Sequence, residues 1–367
     1  MSESKYLEEI LQFKREDLSS IAKSVIWKAP ANIALIKYWG KKGNQLPINP
    51  SLSMSLSSSH TRTELQYRKA ENNYGRITFK FNGEKHPAFE ERVKAFIDKI
   101  LPFFPFLKYM ELFIYSKNNF PHSAGIASSA SALSSLALCI CSVEKQLKEE
   151  YSGTEDFLQK ASYMARLGSG SAARSVYGHY VEWGASGNGT DDFATPLTSE
   201  VSENMKFLYD TVLITSSEPK KISSSQGHSL MNDHPYKEDR ISQARINFSQ
   251  LKETLKTGNF EKFTETIENE ALSLHALMLS SNPGFILIND ASIKIMDRVR
   301  AYRQETGAQM AFTLDAGPNI HLLYPAEEKE NIRNFIDNKL RGLCENGRTL
   351  NDFTGNGPEQ PDKNQNL

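Results

Sequence analysis

Cysteine is scarce in this chain, with three in 367 residues, and their placement excludes the usual uses of the residue. Cys139 and Cys141 fall inside one helical pattern and Cys344 stands alone, so neither a disulfide framework nor a zinc-ligand spacing is present. A reducing cytoplasm is the expected compartment. Long apolar runs are missing too. No stretch of about twenty apolar residues occurs, and residues Met1 to Ser20 are charged and amphipathic, so neither a membrane span nor a secretory leader is expected. Nor does one sign of charge dominate. Lys and Arg total 43 against 44 Asp and Glu, a formal net charge of −1 that argues against a dedicated nucleic-acid binder. Any anion must be held locally. Internal repeats and coiled-coil heptads are also absent.

What is present is ordinary globular usage, 39% hydrophobic and 24% charged, over a length that allows one large or two medium domains. Within it, Pro121-His122-Ser123-Ala124-Gly125-Ile126-Ala127-Ser128-Ser129-Ala130 runs a glycine-containing loop into the serine-rich start of a small-residue helix. Unpaired N–H groups of a first helical turn and the positive end of the helix dipole favour an anion there. Gly125 permits close backbone approach, and Ser128, Ser129 and Ser131 add hydroxyls. Ser and Gly at a helix start also serve as plain caps.

Three further segments point the same way. Ala29 to Lys41 reads as a β-branched and aromatic strand whose apolar run is interrupted by Lys37, either a snorkelling side chain or one with a buried anionic partner. Gly168-Ser169-Gly170-Ser171-Ala172-Ala173-Arg174 fits G-x-G-x-x-A superficially, but it follows the helical pattern of Asp156 to Leu167, not a strand. It reads instead as a second anion nest, with a guanidinium suited to phosphate or carboxylate. Met310 to Leu323 holds two strand-like runs joined by Asp315-Ala316-Gly317-Pro318-Asn319, where Asp315 is either a turn former or a group presented by a rigid strand end.

In this order the segments closely resemble the diphosphomevalonate decarboxylases, relatives of the galacto-, homoserine, mevalonate and phosphomevalonate (GHMP) kinases. The matching pieces are A-N-I-A-L-I-K-Y-W-G-K, N-N-F-P-H-S-A-G-I-A-S-S-A, G-S-G-S-A-A-R-S-V-Y-G-H-Y-V-E-W and F-T-L-D-A-G-P-N, with K-K-I-S-S-S-Q-G-H ending at His228. The resemblance implies an α+β, two-domain GHMP kinase fold. Its amino-terminal domain contains a left-handed βαβ crossover, its carboxy-terminal domain is a ferredoxin-like α/β sandwich, and the active site lies in the cleft between them.

The implied reaction is ATP-dependent decarboxylation of (R)-5-diphosphomevalonate to isopentenyl diphosphate, by phosphorylation of the 3-hydroxyl and loss of phosphate and carbon dioxide. By the same resemblance, Asp315 is the catalytic carboxylate and Lys37 its partner. Gly125, Ala127, Ser128 and Ser129 hold the ATP phosphates, with Ser129 also contacting Mg²⁺. Asn32, Tyr38, Lys41, Ser169, Ser171, Arg174 and Ser224 face the substrate, Arg174 holding its carboxylate. Lys220 and Lys221 add charge nearby. His122, Ala173, His179 and Ser225 depart from the usual pattern. The expected partners are small molecules, with no nucleic acid and no membrane, and a homodimer is expected. The alternatives are a mevalonate or phosphomevalonate 3-kinase, a phosphomevalonate decarboxylase, or a non-catalytic nucleotide-binding module.

Periodicity predicts strands near 24–38, 51–58, 61–68, 76–81, 110–115, 179–183, 207–215 and 310–324, and helices near 6–21, 89–100, 127–146, 154–167, 235–280, 291–306 and 326–343. The expected division is an extension over 1–22, domains over 23–195 and 196–345, and a flexible polar tail over 346–367.

Overall fold

Strand β1 (Lys23–Ile36) begins the described fold, and its β-branched and aromatic residues pack on both faces. The computed structural model describes residues 22–71, 75–121, 126, 128–148, 154–184, 191–197, 200–218, 222 and 224–361. A short hairpin, β2 (Lys41–Lys42) with β3 (Leu46–Pro47), leads into β4 (Ser51–Lys69). Two strands were expected here, over 51–58 and 61–68, but β4 is continuous, because β1 pairs antiparallel along almost all of it. Next come β5 (Arg76–Phe81), α1 (Pro87–Ile100), β6 (Met110–Asn118), α2 (Ser128–Lys148), α3 (Thr154–Gly168), a 3₁₀ turn Gly170–Val176, β7 (Tyr180–Trp183) and β8 (Thr195–Pro196). The sheet runs β5-β6-β4-β7-β8 with β1 also on β4, and β5 and β6 are its parallel pair.

Helix α2 lies against β1 and β4. Its small residues allow this, and its hydroxyls find partners in the sheet. Ser131 and Ser135 Oγ each lie 2.6 Å from a threonine of β4, Thr61 and Thr63, and Ser134 Oγ donates to the Ala172 carbonyl at 2.7 Å. A buried hydroxyl so paired avoids the desolvation penalty that would otherwise oppose a serine-rich helix in a core.

The second half contains α4 (Glu203–Lys206), β9 (Leu208–Leu213), α5 (Ser224–Ser229), α6 (Lys237–Thr257), α7 (Phe260–Ser280), α8 (Asp290–Thr306), β10 (Ala311–Thr313), β11 (Ile320–Pro325), α9 (Lys329–Phe335) and β12 (Thr349–Phe353). Its sheet order, β10-β11-β9-β12, is antiparallel throughout. With helices between β9 and β10 and between β11 and β12, this is the ferredoxin-like arrangement. The helical pattern over 235–280 is two helices, because Gly258 terminates α6 at φ 74° and the Asn259 side chain caps α7. The helix expected over 326–343 is regular only over α9, then changes to π and 3₁₀ turns.

The flexible tail expected from 346 needs correction. Strand β12 completes the second sheet, and beyond it Thr354 and Glu359 make bridges to Leu56 and Lys28 of the first. Backbone pairing needs no apolar side chains, and the polar residues here are used as caps. The buried Asp352 carboxylate accepts from the N–H groups of Ser57, Ser58 and Ser59 at 2.9, 2.7 and 2.7 Å. One apolar cluster, including Ile33, Leu35 and Met54 with Leu208, Phe263 and Leu323, joins the two halves.

Candidate active site

Where β1 ends, Lys37 is buried at 2% exposure and held at every polar atom. Its Nζ donates to the Ala34 carbonyl at 2.6 Å and to Asp315 Oδ1 at 2.8 Å. Its backbone N–H donates to Glu270 Oε1 at 2.9 Å, and its carbonyl accepts from Asn49 Nδ2 at 2.9 Å. Asp315, from the turn between β10 and β11, comes from the other half of the molecule and keeps 25% of its side chain exposed. The turn is tied down at the Asp315 carbonyl, which accepts from His275 Nε2 at 3.2 Å and from Gly317 N–H at 2.7 Å.

Glu270, fully buried on α7, is paired with the Arg240 guanidinium through both oxygens and accepts from Asn247 Nδ2 at 2.8 Å. Burial opposes its charge, but Arg240, Asn247 and the Lys37 N–H together hold its carboxyl below the usual range. Burial likewise pulls the Lys37 ammonium below the ordinary lysine value, opposed by Asp315 and Glu270 and reinforced by Arg174.

Arg174, from the 3₁₀ turn after α3, donates through Nη1 to Ser51 Oγ at 2.6 Å, while its buried Nε has no partner. Burial pushes it down to about 10, with the Asp315 charge opposing. Asn32 Nδ2 donates to Ser175 Oγ at 2.8 Å, and Ser169 and Ser171 lie Oγ to Oγ at 3.4 Å. Tyr38 Oη donates to the Gln45 carbonyl at 3.1 Å, and burial raises its phenol well above the ordinary value. Lys41 Nζ donates to Gln45 Oε1 at 3.1 Å, and burial with the Lys99 charge lowers it.

One cavity of about 530 Å³ gathers these groups. Asn32, Lys37, Tyr38, Lys41, Arg174 and Asp315 line it, with Ser169 and Ser171 beside them and Ser128 and Ser129 at the start of α2. Gly125 and Ala127 lie outside the described residues, as do His122, Lys220 and Lys221 and the side chains of Ser224 and Ser225. Phe79 and Phe81 of β5, Phe89 and Val93 of α1 and Leu136 of α2 add an apolar stretch to its lining. A helix start, a cation and carboxylate at the centre and apolar side chains in the lining suit a phosphorylated nucleotide and an anionic co-substrate.

Known proteins agree. Residues 29–194 match the diphosphomevalonate decarboxylase-like N-terminal domain and 211–364 the mevalonate 5-diphosphate decarboxylase C-terminal domain. The diphosphomevalonate decarboxylase of Saccharomyces cerevisiae is 33% identical over 325 residues, covering 84% of this chain and 79% of its own. The chain belongs to the diphosphomevalonate decarboxylase family. The solved mevalonate diphosphate decarboxylase of Staphylococcus aureus superposes with a TM-score of 0.80 at 29% identity, over 93% of this chain and 99% of that one. A second solved structure, MDDEF in complex with MVAPP, AMPPCP and magnesium, gives 0.79 at 28% identity, over 94% and 100%.

The donors fit the magnesium ion that accompanies nucleotide in this family. Among the described residues no cluster of three His, Cys, Asp or Glu forms a metal cage. The Ser129 hydroxyl is exposed on the cavity wall, which suits an ion held mainly by phosphate oxygens and water. Four side chains of this decarboxylase-family site escaped the sequence reading: Glu270, Arg240, Asn247 and Asn49. One signal for Glu270 existed. It falls on the stripe Ile267, Ala271, Leu274, the apolar face of α7, where an unpaired carboxylate would not be tolerated.

Proposed function

We propose that the protein decarboxylates (R)-5-diphosphomevalonate with ATP, giving isopentenyl diphosphate, ADP, phosphate and carbon dioxide. The observation that carries this reading is the Lys37–Asp315 pair, 2.8 Å apart in the cavity that Arg174 and the α2 start also line. Asp315 accepts the proton of the substrate 3-hydroxyl as that oxygen takes the γ-phosphoryl group. Lys37 orients the carboxylate and offsets charge on the transferring group. The C3–O bond then breaks with phosphate leaving, and the electron pair of the bond to the carboxylate forms the new double bond as carbon dioxide departs. Arg174, with its Nε unpaired, holds that carboxylate until it leaves.

Ser128 and Ser129 hold nucleotide phosphates, Ser129 also facing magnesium, which neutralises phosphate charge. Gly125 and Ala127, which precede them in sequence, are assigned to the same phosphates. Phe79, Phe81 and Phe89 receive the adenine, by their apolar character in the cavity lining. Asn32, Tyr38, Lys41, Ser169, Ser171 and Ser224 contact the substrate. We also place the domain division near residue 195, the chain in the cytoplasm and the active species as a homodimer. A monomer mass by light scattering would overturn the last.

The test is to incubate protein, Mg²⁺ and ATP with (R)-5-diphosphomevalonate and measure carbon dioxide and ADP, with the monophosphate as control. Equimolar release with the diphosphate alone supports the reading. ADP without carbon dioxide makes the protein a 3-kinase, turnover of the monophosphate makes it a phosphomevalonate decarboxylase, and neither product leaves a nucleotide-binding module.

A further inference from the structure

We propose that His228 is a specificity-determining hydrogen-bond donor to the substrate's terminal phosphate, an inference that rests on the functional reading above. Helix α5 brings this histidine from the second half into the cavity wall beside Tyr38 and Lys41. Its ring is wedged between Tyr38 and Trp39, with centroids 4.5 and 4.8 Å away. The wedge is tight. A Cβ on the neighbouring Gly227 would lie 2.5 Å from the Trp39 ring, so α5 seats directly on that side chain.

The Gly40 backbone N–H donates to His228 Nδ1 at 3.0 Å. A ring nitrogen that accepts carries no hydrogen, so the neutral imidazole holds its proton on Nε2. No described group accepts from Nε2, and that atom is not among the buried polar atoms shut away without partners. The donor is therefore fixed in place and left to the cavity. Burial and the nearby Lys41 charge keep the ring neutral, which agrees with that tautomer.

Charge at this end of the cavity selects the ligand. Lys41 lies within the field of Lys99, and Tyr38 within those of Arg166 and Arg174. Asp192 is 3.7 Å from Arg166 and the Asp315 charge acts on Arg174, two carboxylates against four cations. An anion with several oxygens answers this surplus, and His228 adds a directed donor without a further charge. Discrimination between a terminal diphosphate and a single phosphate is what such a neutral, rigid donor supplies.

Two variants separate the ring nitrogens. Asn at this position offers its amide oxygen to the Gly40 N–H but no donor at the Nε2 position, whereas Gln places an amide donor there. His228→Asn is expected to raise KM for diphosphomevalonate about tenfold, with kcat and KM for ATP within about twofold. His228→Gln recovers most of that loss. An unchanged KM in His228→Asn, equal losses in both variants, or a matching rise in KM for ATP overturns the proposal. Carbon dioxide release by the wild type keeps the functional reading standing in each of those cases. No release by the wild type overturns that reading and this proposal with it.

Discussion

Replacing Glu270 by alanine tests whether the buried network under Lys37 is as consequential as its geometry implies. The carboxylate is fully buried and serves three donors: the Arg240 guanidinium, the Asn247 amide and the Lys37 backbone N–H. Breaking a buried ion pair by removing one partner costs about 3–5 kcal/mol, because the other charge stays buried. An orphaned backbone N–H adds about 1–3 kcal/mol. The two losses share one site, so about 4–6 kcal/mol is expected in total. That is a large part of the roughly 5–15 kcal/mol typical of a folded domain. Urea unfolding at neutral pH, followed by tryptophan fluorescence and read at the first transition, measures it. A loss below about 1 kcal/mol would refute the reasoning. Glu270→Met combined with Arg240→Met should lose less than the single change, since no charge is then stranded. The pH dependence has a definite sign. A carboxyl held below its ordinary 4.5 contributes stability that is complete above 4.5 and fades as pH falls through the folded-state value. Glu270→Gln should therefore flatten the stability profile below pH 4.5 and leave its neutral slope alone.

Asp315→Asn should lower kcat about 10²–10⁴-fold, with KM for ATP little changed, and a loss under tenfold would remove its role as base. Gly170→Ala should raise KM for the diphosphorylated substrate, because the new Cβ would sit 2.6 Å from Tyr38 Oη and displace that ring; an unchanged KM refutes the placement. His179 holds φ at 54°, with its N–H and carbonyl bonded to Gly355 and Ser55, so His179→Gly should stabilise by about 0.5–1 kcal/mol in thermal unfolding. Destabilisation there would mean that the imidazole contributes more than the backbone strain costs.

Much of this protein could be read from its residues alone. The strand ending at Lys37, the small-residue helix after Ser128 and the nest ending at Arg174 are local patterns, set by propensity, dipole and spacing over a few residues, and they stand in the structure where the sequence puts them. Lys37 interrupting an apolar run and Asp315 at a strand end were each open to a bland reading until tertiary packing brought them 2.8 Å apart across 278 positions. Local composition misled at the end of the chain. After Asn346, Asp352 and Thr354 serve as partners for backbone N–H groups of β4 and β9, a role that no local pattern encodes. Glu270 and His228 are the same case within the site. A carboxylate on an apolar helix face and a histidine after a glycine acquire meaning only when Arg240, the Lys37 N–H and the Gly40 N–H arrive from distant segments. The sequence by itself determined where the helix starts and the glycine-serine turns would fall, since those patterns lie in contiguous backbone. Only the tertiary structure decided which charges meet, because burial and hydrogen bonding between distant residues set that outcome.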